Sequence, residues 1–180
     1  MIEYTNHRAC FVLQDPDGTV VQVEKTHNWI TAAGLQHYAE RVHQSTGFTN
    51  FSTPFIYVAP AFDAGTVVPP AANPGDTFDV IDTEQIGSAA IDTGYPQNMD
   101  PDPLNPDAAL DLSAVVTWRA TFGPNVANGN IVVAVMANSG ATATSPILNA
   151  VTLNNPINKV AGQTVSVFIN HAFVDLAPVP

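Results

Sequence analysis

The run IVVAVMA (Ile131 to Ala137) constrains this chain more than any other stretch. An unbroken apolar run rich in Val and Ile suits a strand covered on both faces. Such a strand needs neighbours, and the flanking sequence supplies them. In AVVTWRATF, Val116, Trp118, Ala120 and Phe122 share one face, and Val115, Thr117, Arg119 and Thr121 share the other. ILNAVTL and TVSVFINHAFVDL read as two further strands, with NNPINKVAGQ turning the chain between them. GPNVANGN and NSGATATSP are turn and loop chemistry. The tail APVP cannot continue a ladder.

The first third reads as a hairpin and a helix. His7 to Gln14 alternates as a strand, DPDG (Asp15 to Gly18) makes a turn, and TVVQVEK returns. Asn28 then stands where it can cap free N–H groups of a helix. Leu35, Tyr38, Ala39 and Val42 form one apolar stripe, and Gln36, His37, Glu40, Arg41 and Gln44 lie opposite. Gly47 marks the stop. PFIYVAPA (Pro54 to Ala61) is a buried strand. From Phe62 to Asp111 the pattern dissolves into an acidic, proline-rich excursion without Lys or Arg, in which TFDVIDTEQIGSAAI is the piece most able to order.

These elements predict a mainly β fold: an antiparallel β-sandwich of about seven strands, with one amphipathic helix packed over an open edge or end. The chain reads as one domain, 1–180, with a hairpin arm at 1–27, a helix at 28–46, the long loop at 62–111 and C-terminal strands at 112–176. No internal repeat is visible.

Charge narrows the partners. The net charge is -11, and the five cations, Arg8, Lys25, Arg41, Arg119 and Lys159, are scattered. Phosphate-driven nucleic-acid binding needs clustered Lys and Arg, and so does attraction to an anionic membrane. Neither is expected. No apolar run approaches the ~20 residues of a membrane span. The opening MIEYTNHR lacks the charged and apolar regions of a signal peptide, so synthesis in a cytoplasm is the expectation. The single cysteine, Cys10, excludes an internal disulfide framework and reads as a small buried hydrophobe.

The densest oxygen cluster is NMDPDPLNPDAALD. Asp100, Asp102, Asn105, Asp107 and Asp111 are candidate Ca²⁺ ligands, since that cation takes six to eight oxygens. The spacing is not that of an EF-hand loop, and two other readings stay open: a solvated acidic loop, or a loop that docks on a cationic neighbour. His7, His27, His37, His43 and His171 form no metal motif, and His37 and His43 point to different sides of the helix. They read as surface or capping histidines. GxSxG and GxxxxGK[ST] are absent. The carboxylate pairs Asp79 with Asp82, and Asp82 with Glu84, have the residue types for acid–base work but no aromatic walls around them. Trp118 reads as core. Trp29 opens the helix, where it would anchor against the sheet.

The order of motifs carries a resemblance. An Asp-Gly hairpin leads to Lys25, HNWIT and a helical Gly34-Leu35; IYVA follows, then TWRATF, ANGNIVVAVMAN, INK and QTVSVFINHAF. This resembles a diverse group of tailed-bacteriophage virion proteins: tail, collar, fibre-attachment and minor structural proteins. It covers most of the chain outside the acidic loop. The run IVVAVMAN lacks the Glu and Gly-Leu pair such proteins often carry there, and PAFDAG stands where GTG is usual. The resemblance implies no enzyme and no cofactor. It implies contacts with copies of itself and with other virion proteins, in a particle assembled in the host cytoplasm, as a tail, collar or neck component or a capsid decoration. Two other classes compete: a carbohydrate- or receptor-binding β-sandwich, stabilised by calcium, and a carboxylate hydrolase.

Overall fold

The computed structural model describes residues 8–43, 51, 53–62, 79–82, 84–106 and 112–172. Its strands are β1 (Arg8–Gln14), β2 (Val20–Ile30), β3 (Pro54–Ala59), β4 (Gly87–Ala90), β5 (Val115–Phe122), β6 (Gly129–Asn138), β7 (Asn149–Lys159) and β8 (Thr164–Ala172). The helices are α1 (Ala32–His43) and the one-turn α2 (Asp79–Asp82). Among the described residues no helix is long and apolar enough to cross a membrane.

The expected seven-strand sandwich is corrected. All eight strands belong to one antiparallel sheet, ordered β4-β3-β6-β7-β2-β1-β8-β5. The reason lies in the acidic stretch read as loop. Its β4 pairs with β3, and the chain then bridges Ile91 to Ala120 and Gln97 to Thr117 on β5. The two ends of the sheet meet and the sheet rolls into a nearly closed barrel. Eight strands enclose a space that side chains alone can fill. Phe11, Ile56, Phe122, Met136, Val151 and Ile169 fill it, each fully or almost fully buried. Each contributes ~1.5–3 kcal/mol by leaving water.

The β6 run is covered on both faces, as its sequence requires. Ile131, Ala134 and Met136 point inward, while Val133, Val135 and Ala137 pack outward with Tyr57 and with Ile81 of α2. On β5, Ala120 and Phe122 are inside and Trp118 packs against the same core.

Three boundaries differ from the sequence reading. The hairpin is wall rather than arm: β1 lies between β2 and β8, and β2 between β1 and β7. Gly18 makes its turn with φ +87°, the left-handed region that favours glycine. Asn28 belongs to β2, and the helix is capped by Thr31, whose Oγ1 accepts the Gly34 N–H at 3.0 Å. The helix is also rotated from its expected stripe. Leu35 is 44% exposed, while His37 is 8% exposed and lies edge-on to Phe51. Gly34 sets this rotation. A Cβ there would stand 2.2 Å from the Leu148 carbonyl oxygen, so only glycine lets the helix seat so closely on β7. The helix thereby covers one end of the barrel, where the Tyr38 hydroxyl meets Nδ1 of the buried His171. The stop expected at Gly47 lies outside the described residues.

A candidate binding groove on the outer wall

Residues 91–106 form a strap across the outside of the barrel. Its first half runs along β5. Asp92 holds Arg119 at 2.5 Å and accepts the Thr121 hydroxyl at 2.7 Å. Gln97 and Thr117 exchange both backbone bonds, at 2.9 and 2.8 Å. The Arg119 guanidinium stacks over Tyr95, 4.6 Å from its centroid. Tyr95 and Met99 then cover an outward apolar patch made by Cys10, Val12 and Phe168.

The second half, Asp100 to Pro106, stands off β1 and β2 and leaves a groove of about 570 Å³. The register sets its far wall: Arg8 lies opposite His27 and Cys10 opposite Lys25, so all four share the outward face. Asp100 and Asp102 are 4% and 7% exposed. Their oxygens are engaged. Asp100 Oδ1 accepts the Asp102 N–H at 2.7 Å, and Asp102 Oδ1 accepts the N–H groups of Leu104 and Asn105, each at 3.1 Å. Asp102 Oδ2 pairs with Lys25 Nζ.

Electrostatics follow from this geometry. The hydrogen bond that Lys25 donates to Asp102 raises the Lys25 pKa above its ordinary value. Burial pushes the Cys10 thiol up to about 12, with the Asp102 charge adding to the rise and the Lys25 charge opposing it. Cys10 is therefore a protonated, inert lining group at neutral pH.

The proposed calcium ligands are thus divided. Asp100, Asp102 and Asn105 line this groove. Asp107 and Asp111 lie outside the described residues. Among the described residues no three His, Cys, Asp or Glu side chains are grouped to hold a metal ion. Within the chain, the acidic loop pairs with Lys25 of β2. Sequence reasoning did not connect the two, because nothing local joins β2 to a loop so distant along the chain.

The remaining candidates scatter. His27 is an exposed groove residue. His37 and His171 are buried, which corrects their reading as surface groups. His7 lies outside the described residues, and His43 falls in the last turn of α1. Asp79 and Asp82 end the short α2 and Glu84 follows it, exposed. Trp29 is on β2, 40% exposed on the outward face, rather than at the start of the helix. No protein-family model matches the chain, and no curated protein and no solved structure matches it.

Proposed function

We propose that this chain is a non-enzymatic structural subunit of a tailed-bacteriophage virion, working through contacts with copies of itself and with neighbouring virion proteins. The observation that carries this reading is the outward face of β2. Lys25, His27 and Trp29 alternate along it, all exposed, on a chain of net charge -11. An exposed aromatic in line with an imidazole and a half-exposed lysine is the kind of surface that anchors a protein interface, with a polar or acidic partner surface completing it. Another copy of this acidic chain qualifies. The barrel interior is occupied by its own apolar side chains, so the surface is left to make the contacts. The residue-level resemblance to tail, collar and minor structural proteins supports the same assignment.

The variant Trp29→Ser, which leaves the Lys25–Asp102 pair intact, tests it. In light scattering it should lose the assembly the native chain forms, while keeping the native thermal transition. An unchanged assembly would count against β2 as the contact.

Trp29 also favours a second reading. An exposed indole beside a polar groove can stack on a sugar ring, as a carbohydrate- or receptor-binding module would use it. Binding on a glycan array, lost in Trp29→Ser, would move the assignment there.

A further inference from the structure

The closed end of the barrel beneath α1 contains polar groups that the proposed assembly role does not use. Asn28 and Asn149 are 2% and 0% exposed. Asn28 Nδ2 donates to the Asn170 carbonyl at 2.6 Å, which fixes which atom of that amide is oxygen. Asn28 Oδ1 then has no partner, and neither Oδ1 nor Nδ2 of Asn149 has one. A buried carboxamide left unsatisfied is strongly unfavourable.

The two residues are close in the sheet register. Across β2 and β7, Asn28 lies opposite Val151 and Ile30 opposite Asn149. The two asparagines are therefore on one face and one step apart diagonally, ~7–8 Å by strand geometry. That face points inward, because Val151 and Met136, opposite Asn28 and Asn149 respectively, are inner-core residues. The join itself is short. β2 pairs with β7 only over Asn28–Ile30, and the next link is the Thr26 hydroxyl donating to the Thr152 carbonyl at 2.9 Å. Beyond Asn28 the backbone pairing stops, and α1 lies over this stretch through the contact of Gly34 with Leu148 and Ile30.

We propose that this seam is an internal water site: one or two ordered water molecules bridge Asn28 and Asn149 inside the barrel, sealed by α1. Two acceptors and one donor, with no direct bond between them, complement water, which donates twice and accepts twice. Buried waters typically make about three such bonds. The site explains why asparagine stands at two inward positions beside the apolar core. It also places a hydrated joint at a short stretch of the barrel wall, where β2 and β7 pair over three residues.

Water-selective ROESY on the native, ¹⁵N-labelled chain tests this. The side-chain NH₂ of Asn149 should show cross-peaks to water of the sign that marks direct dipolar contact, distinct from exchange relayed through a labile hydroxyl. Their absence would overturn the proposal. A stability measurement gives an independent arm. Asn149→Leu keeps the branched heavy-atom skeleton and removes the polar atoms, so it should lower the melting temperature by stranding the water and Asn28 Oδ1. A dry seam predicts the opposite, because leucine would then replace an unsatisfied amide, and a raised melting temperature would also overturn the proposal.

Discussion

Lys25, in the barrel wall, and Asp102, in the strap that crosses it, form an ion pair that ties the acidic stretch to the sheet. The two ends of this bond are unequal. The Lys25 side chain is 52% exposed and that of Asp102 only 10%. Asp102 also holds two backbone N–H groups, so it organises the strap, whereas Lys25 only pins it.

That asymmetry sets the first prediction. Lys25→Met should cost little, about 0–1 kcal/mol, because water screens a half-exposed pair. Asp102→Ala should cost more, about 1–3 kcal/mol, since it leaves two N–H donors without their acceptor and the cation without its partner. Urea unfolding of both variants would show the order. Equal losses would mean that the ion pair, rather than the turn, holds the strap.

Gly34→Ala should be the most damaging small change in α1. The added methyl meets a backbone carbonyl and the Ile30 side chain, at 2.2 and 2.8 Å, and the backbone cannot swing aside as a flexible side chain could. A loss of about 1–3 kcal/mol is expected from overpacking. The alanine's better helix propensity, worth ~1 kcal/mol, offsets only part of it. Thermal unfolding would show a lower midpoint; an unchanged midpoint would mean that α1 does not seat on β7 at this glycine.

Cys10 gives a pH signature. Its pKa rises from an ordinary 9.0 to about 12 in the fold, chiefly through burial. As pH climbs past 9, the unfolded chain releases the thiol proton first and binds fewer protons than the native chain. The contribution to stability is thus complete below that pH and declines between 9 and 12. Tyr38, raised by burial, acts with the same sign at higher pH. Cys10→Ala should flatten the fall of stability measured between pH 8 and 10. A thiol reagent should label the native protein far more slowly than the urea-unfolded chain.

Tyr38→Phe removes the hydroxyl that meets His171 and leaves a buried imidazole nitrogen without that bond. A cost of about 1–2 kcal/mol follows. Because the bond joins α1 to β8, hydrogen exchange should quicken first in α1. Uniform acceleration across the barrel would contradict its role as the helix's inner tether.

Much of the wall was legible. The alternation on β5 and the apolar run of β6 reported local burial, and local burial is what periodicity encodes. The hairpin followed from turn residues whose conformations are short-range. Closure was not legible, because β4 is a short, small-residue strand whose only credential is its partner β3. Nor was the extension of β7 through NNPINK. Pro156 argues against a strand, but the register slips between Ile131 and Val133, leaving residues 153–156 out of the ladder. The helix cap and face were misassigned for one reason: Asn28 and Leu35 look right locally, whereas Thr31 and Gly34 are chosen by contacts with Ile147 and Leu148 far along the chain. At the groove, the acidic residues were visible and their cationic counterpart was not, since ion pairing across the barrel leaves no local pattern.

The central claim is that the chain works by assembling. The most direct test is the mass of the native protein in solution by light scattering, across a concentration series, with and without Ca²⁺. The account predicts a discrete oligomer of defined number whose mass does not depend on calcium. A monomer at every concentration, gaining thermal stability with calcium, would contradict it and favour a calcium-stabilised binding module.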